Sequence, residues 1–216
     1  MKLQSLFKQK ARGFTLVELM ISLAIMMIMT GLLLSNYPES AVRMTLINSV
    51  QSTALLIREA QVRGSAVDSA NSSVGGYGVY IKIADQSKVI LFADSVNGFN
   101  SSGLPIGDGL YQTPPNGLID ETNSTTSLPP TYNITKFCVG QSPDTVCSTA
   151  PNSSLTISFT RPSPQPDIYM NDSKTVNYSR ACIEFHSPRA GGSIGHIRSV
   201  EVYNSGMIRT AISACN

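Results

Sequence analysis

The sequence predicts an α+β protein in which one long N-terminal helix packs by its second half on an antiparallel β-sheet head. Three observations predict it: an apolar run at 14–34, apolar residues at three- and four-residue steps from Val42 to Ile57, and two-residue alternation from Tyr77 onward.

Residues 14–34 carry one charge, Glu18. At about 1.5 Å per residue, a helix of that length spans a hydrocarbon core of roughly 30 Å, so the run belongs in a membrane. Lys2, Lys8, Lys10 and Arg12 flank it with no acidic residue among 1–13. Such a flank stays in the cytoplasm, and the rest of the chain emerges on the far side. A secretory signal would carry a small-residue cleavage site after the apolar run, and Asn36-Tyr37-Pro38 after Ser35 is a poor match. Glu18 is the odd feature. A carboxylate at membrane depth costs about 2.5–3.5 kcal/mol on insertion scales and calls for a cationic partner. The nearest basic residue on the C-terminal side is Arg43, roughly 37 Å along the axis.

Lys10-Ala11-Arg12-Gly13 followed by Phe14-Thr15-Leu16-Val17-Glu18 resembles the processing site of type IV prepilins and type II secretion pseudopilins. In that family a membrane-embedded aspartyl peptidase cuts after the glycine and methylates the new N-terminus. The resemblance implies cleavage between Gly13 and Phe14 and N-methylation of Phe14. It also implies an assembly role for Glu18, paired with the freed α-amine of Phe14 on a neighbouring subunit. The implied partners are the prepilin peptidase, other pilin or pseudopilin subunits, the inner-membrane assembly platform and the membrane. The competing reading is an ordinary N-terminal anchor with an incidental Glu.

The chain then divides into a cytoplasmic leader at 1–13, a transmembrane or filament-core helix at 14–35, an amphipathic half of the same helix at 36–64 and a β-rich head at 65–216. Removing the leader leaves 203 of 216 residues, enough beyond the membrane run for one globular domain with a sizeable core. Four of the 16 basic residues lie in the leader, so the remainder carries 12 basic against 14 acidic residues, a net charge of −2. That balance gives no support to polybasic nucleic-acid binding.

Pro38 would break a helix in isolation but is accommodated as a kink at membrane depth, and pilins often bend near this region. Beyond it Val42, Leu46 or Ile47, Val50, Ala54 and Ile57 form an apolar face, with Arg43, Asn48, Gln51, Arg58 and Glu59 between them. Gly64 is the expected stop. Two helices separated at Pro38 are the alternative. After a polar loop at 65–76, residues 77–83 and 88–93 read as a hairpin around Asp85-Gln86-Ser87. Residues 94–130, rich in Gly, Ser, Asn, Thr and Pro, read as a long surface excursion with at most a short strand near Leu110-Tyr111. Further strands are expected at 132–139, 154–161, 181–186, 197–203 and 207–213, with Asn204-Ser205-Gly206 as the last turn. The order Phe185, Gly191-Gly192, strand, Asn204-Ser205-Gly206, Arg209 is similar to the C-terminal meander of H-type minor pseudopilins and related minor pilins.

Cys138, Cys147, Cys182 and Cys215 form an even set on the exported side, where disulfides are the expected state. Of three pairings, Cys138–Cys147 with Cys182–Cys215 is favoured. A zinc site lacks Cys-x-x-Cys spacing. His186 and His196 read as structural or surface residues. Asp94, Asn97 and Asp108 are calcium-type oxygen ligands, yet they miss the EF-hand pattern, and a turn built on Asn and Gly is the preferred reading, with no cofactor. Arg198 and Arg209 could line a basic strip on the last two strands, of the kind with which some minor pilins bind DNA, although solvated strand charges are preferred. The Asn-x-Ser/Thr triplets at Asn71 and Asn133 are expected by chance.

Three functions compete: a pilin-like structural subunit of a type IV pilus or type II secretion pseudopilus, a minor tip subunit whose head binds DNA, a surface or a secretion substrate, and an anchored domain that does not assemble. An enzyme is not expected, because no phosphate loop or nucleophile motif is present. The expected location is the cytoplasmic membrane, single-pass with the leader inside and the head outside, and then an extracytoplasmic filament.

Overall fold

A computed structural model describes residues 13–66, 74–99, 105–113, 120–130, 132–141, 144–161, 163–187 and 196–216. The basic flank, Asn71, Gly191-Gly192 and parts of the expected loops at 65–76 and 94–130 lie outside the described residues. The chain divides into two units, residues 1–41 and 42–216.

Helix α1 runs Leu16–Ser65 as one 50-residue element, helical through Pro38. Two helices separated at that proline are therefore not what forms. In the first unit it is apolar, and its span Leu16–Leu34 has a mean hydropathy of 2.3 with none of it buried. Hydroxyls in this run bond back to their own helix: Ser22 Oγ donates to the Glu18 carbonyl at 2.8 Å and Thr30 Oγ1 to the Met26 carbonyl. Neither hydroxyl needs water, which suits a helix surrounded by lipid or other helices.

In the second unit the helix is amphipathic. Leu46, Val50, Leu56, Ile57 and Ala60 are buried, with Val42 and Ala54 at the margin. Leu46 rather than Ile47 takes the core position. Ser49 and Thr53 share this face, and their hydroxyls donate to the carbonyls of Thr45 at 2.9 Å and Ser49 at 3.0 Å. Buried polar atoms must find such partners. Gly64 does not stop the helix, which continues to Ser65. A Cβ there would lie 2.4 Å from the Phe159 carbonyl oxygen, so the glycine lets the last turn sit directly on a strand.

The strands form two antiparallel sheets rather than one. The first sheet contains β1 (Val74–Lys82), β2 (Lys88–Phe99), β3 (Pro105–Gly107), β4 (Thr122–Ser127), β7 (Ser154–Thr160) and β8 (Pro166–Met170). Their order is β3-β2-β1-β7-β8, with β4 also on β2. The second sheet contains β5 (Asn133–Gln141), β6 (Asp144–Ser148), β9 (Arg180–His186), β10 (Ile197–Tyr203) and β11 (Ile208–Ala211), in the order β11-β10-β9-β5-β6. A 3₁₀ turn at Ile83–Asp85 closes the β1–β2 hairpin. One continuous core joins helix residues such as Leu46 and Ile57 to Val79 and Ile157 of the first sheet and Phe137, Ile183 and Val200 of the second. Each such buried aliphatic or aromatic side chain stabilises the fold by about 1.5–3 kcal/mol.

The expected surface excursion at 94–130 is instead drawn inward where it is described. No strand forms at Leu110-Tyr111. β2 runs on past Asp94, and β4 pairs with its first half from Lys88 to Phe92. Asp94, fully buried, accepts the backbone N–H of Asp108 at 3.1 Å on Oδ1 and of Gly109 at 2.7 Å on Oδ2. Glu121, also buried, accepts Ser95 N–H at 2.9 Å and Gln112 N–H at 2.8 Å. Tyr111 then stacks on Tyr80 and Phe92, ring centroids 4.7 and 5.6 Å away.

Candidate functional site: the N-terminal segment

The segment holding Gly13, Phe14 and Glu18 belongs to the first unit. Gly13 and Phe14 lie just before the helix with no regular structure, Phe14 is 77% exposed, and among the described residues nothing lies within 4 Å of where a Gly13 Cβ would be. Thr15 is the helix N-cap. Its Oγ1 accepts the Glu18 N–H at 3.3 Å, and its carbonyl accepts Leu19 N–H at 3.2 Å. Thr15-Leu16-Val17-Glu18 is thus the Ser/Thr-x-x-Glu spacing of a capping box, which sequence reading passed over. Glu18 is exposed in the first turn, where the helix dipole favours a carboxylate, and no ion pair forms with it among the described residues.

The other candidates lie in the second unit and are not gathered into one site. Cys138 bonds Cys147 across the β5–β6 ladder, and Cys182 bonds Cys215. Cys138 and Cys182 are register partners on β5 and β9, and with Cys215 they form a small buried cluster. The Cys215 amide donates to Glu184 Oε2 at 2.8 Å. Glu184 also faces Lys136 at 3.3 Å and His186 Nε2 at 2.7 Å. Burial alone would raise the Glu184 carboxyl; the Cys215 amide, His186 and Lys136 outweigh it and hold it below its ordinary range. His196 is buried, its Nδ1 2.8 Å from Ser187 Oγ. Both histidines therefore sit in local structural contacts.

Asp94 and Asp108 meet, but as loop anchors. Asp108 accepts Leu110 N–H at 2.9 Å and the Gln112 amide at 2.6 Å, so both carboxylates are occupied by protein donors. Burial pushes Asp94 up to about 7 against the pull of the Gly109 amide, with Asp108 and Glu121 adding to the rise. No group of three or more His, Cys, Asp or Glu suited to a metal ion occurs among the described residues.

Arg198 and Arg209 do not form a strip. Arg209 is opposite Glu201 in the β10–β11 ladder, and its Nε donates to Glu201 at 2.8 Å. Arg198, three residues before Glu201 on β10, falls on the opposite face of the strand, beside Ile47 and Val50 of the helix. The Glu201 carboxyl, which burial would raise, is held below its ordinary range by Arg209, Tyr203 and Arg180.

Residues 8–34 match the prokaryotic N-terminal methylation motif. The match covers 27 of 216 residues and supports the type IV pilin and pseudopilin family. No curated protein and no solved structure matches the chain, so the pilin-like reading of the head rests on its α+β architecture. The motif implies processing by prepilin peptidase and assembly with other pilins, and together with the apolar helix it fits membrane anchoring. Chains with this motif are generally structural rather than catalytic.

Proposed function

We propose that the protein is a filament subunit whose leader, 1–13, is cut after Gly13, whose Phe14 is then N-methylated, and whose Glu18 pairs with the Phe14 amine of a neighbouring copy. The observation that carries this reading is the coincidence of the prepilin motif with a helix exposed along its whole apolar span, Leu16–Leu34. A lone carboxylate in such a helix is costly in lipid, and a new α-amine four residues away on the next subunit offsets that cost.

In this reading residues 14–35 form the membrane and then filament-core segment, 36–64 the amphipathic half and 65–216 the head. The chain crosses the cytoplasmic membrane once, leader inside, before the assembly platform delivers it to the filament. Both disulfides lie beyond the membrane segment, which fits an oxidising compartment for the head.

The test is the intact mass and N-terminal sequence of the protein recovered from membranes with and without co-expressed prepilin peptidase. The expected product starts at Phe14 and carries one methyl group. A product that still starts at Met1 beside a competent peptidase overturns the proposal.

A further inference from the structure

The cysteines of the second sheet stand in a row. Cys147 on β6 is the register partner of Cys138 on β5, and Cys138 is in turn the register partner of Cys182 on β9. Directly opposed residues of antiparallel strands put their side chains on one face, so the three cross the sheet side by side. Cys215, beyond β11, is bonded to the end of the row at Cys182. Cys138 therefore has two cysteine neighbours: Cys147, to which it is bonded, and Cys182, to which it is not. Opposed Cα atoms lie about 4.5–5.5 Å apart, inside the roughly 4.4–6.8 Å that a disulfide spans. A Cys138–Cys182 bond needs no movement of the strands.

Access to the row is uneven. Cys138, Cys182 and Cys215 are each 1% exposed and cluster together, whereas Cys147 is exposed, on the edge strand of the sheet. Thiol–disulfide exchange begins at the sulfur that an incoming thiolate can reach. That sulfur belongs to Cys147, and the group it expels is Cys138.

We propose that Cys147 is a capture site for a low-molecular-weight thiol and that the two disulfides form a relay behind it. The incoming thiolate bonds to Cys147 Sγ as the Cys138–Cys147 bond breaks, leaving the electron pair on Cys138 Sγ. The Cys138 thiolate then bonds to Cys182 Sγ as the Cys182–Cys215 bond breaks, and Cys215 leaves as the thiolate. Two S–S bonds break and two form, and one thiolate enters as one leaves, so the exchange needs no oxidant. Its products are a modified Cys147 at one edge of the sheet and a C-terminal segment no longer tied to β9. The Cys215 amide on Glu184 at 2.8 Å and the Ser199 hydroxyl on the Ser213 carbonyl at 2.9 Å then hold that segment in place of the covalent tie.

The test treats full-length chain in membranes with reduced glutathione, quenches samples over time with a maleimide and maps the bonds by mass spectrometry of unreduced peptides. The expected early product carries glutathione on Cys147, a Cys138–Cys182 bond and maleimide on Cys215. Glutathione on Cys147 with maleimide on Cys138 and an intact Cys182–Cys215 bond overturns the relay. So does glutathione found first on Cys182 or Cys215, or no reaction. In a Cys138→Ser, Cys147→Ser double variant, Cys215 should be labelled at least about ten-fold more slowly, because a positioned thiolate is replaced by encounter with free thiol. An equal rate overturns the proposal, and the bond map of the parent chain decides it even where that variant does not fold.

Discussion

The α-carbon of Gly107 is packed against the carboxylate of Asp94 so closely that a Cβ would fall 2.0 Å from Cγ. Only glycine lets the backbone at 108 and 109 reach both carboxylate oxygens. Gly107→Ala is therefore expected to cost about 1–3 kcal/mol through overpacking. Denaturant midpoints of the variant and the parent check it, and an unchanged midpoint contradicts the proposed anchor.

The same carboxyl sets a pH dependence. With its folded value raised from 3.8 to about 7, Asp94 contributes stability that is complete below the ordinary carboxylate range and is lost as pH rises to about 7. Asp94→Asn should flatten stability against pH between about 4 and 7. Thermal midpoints across that window decide it; parallel curves for variant and parent would remove Asp94 from the account.

Glu184 and Glu201 act in the opposite sense. Both are held below their ordinary range, so their stabilisation is present above about pH 4.5 and lost as pH falls through the folded values. Glu184→Ala also strands the Cys215 amide and is expected to cost about 1–3 kcal/mol at neutral pH. Its acid-unfolding curve should be shallower than that of the parent.

The two bridges should differ in weight. Cys182–Cys215 closes a separation of 33 residues and Cys138–Cys147 one of 9. By chain entropy the longer contributes about 1 kcal/mol more. Serine substitutions at Cys182 and Cys215 should lower stability further than those at Cys138 and Cys147, as read by urea unfolding of each pair.

Thr15 and Glu18 separate capping from assembly. Thr15→Ala removes the cap acceptor and costs about 0.5–2 kcal/mol of local helix stability. It should still enter filaments, whereas Glu18→Ala should be processed and fail to enter. Equal incorporation of both in a filament pull-down would reduce Glu18 to a helix-start residue.

The helix was legible because its signals are local: an apolar run, then apolar residues at 46, 50 and 57 one or two turns apart. The hairpin at 77–93 and the strands β7, β9 and β10 were legible for the same reason, since alternation is written in adjacent residues. What escaped depends on residues distant in sequence. Asp94 and Glu121 look like loop acids until their carboxylates meet the amides of 109 and 112. β6 and β8, five residues each, are too short for a periodic signal and exist because β5 and β7 offer them an edge. The split into two sheets is a pairing choice that alternation cannot express. Arg198 and Arg209 look alike as letters, and only the register opposite Glu201 puts them on different faces. The T-x-x-E cap was local and readable, but the search for a partner to the Glu18 charge drew attention from its place three residues after Thr15.

The bridge from Cys182 to Cys215 encloses most of β9 and all of β10 and β11 in one covalent ring. A subunit stretched along its chain cannot pay out that segment while the bridge holds. At about 3.4 Å per residue, the 33-residue separation stores roughly 110 Å of contour that only a reductant can release, so extensibility under load is set by redox state as well as by folding stability.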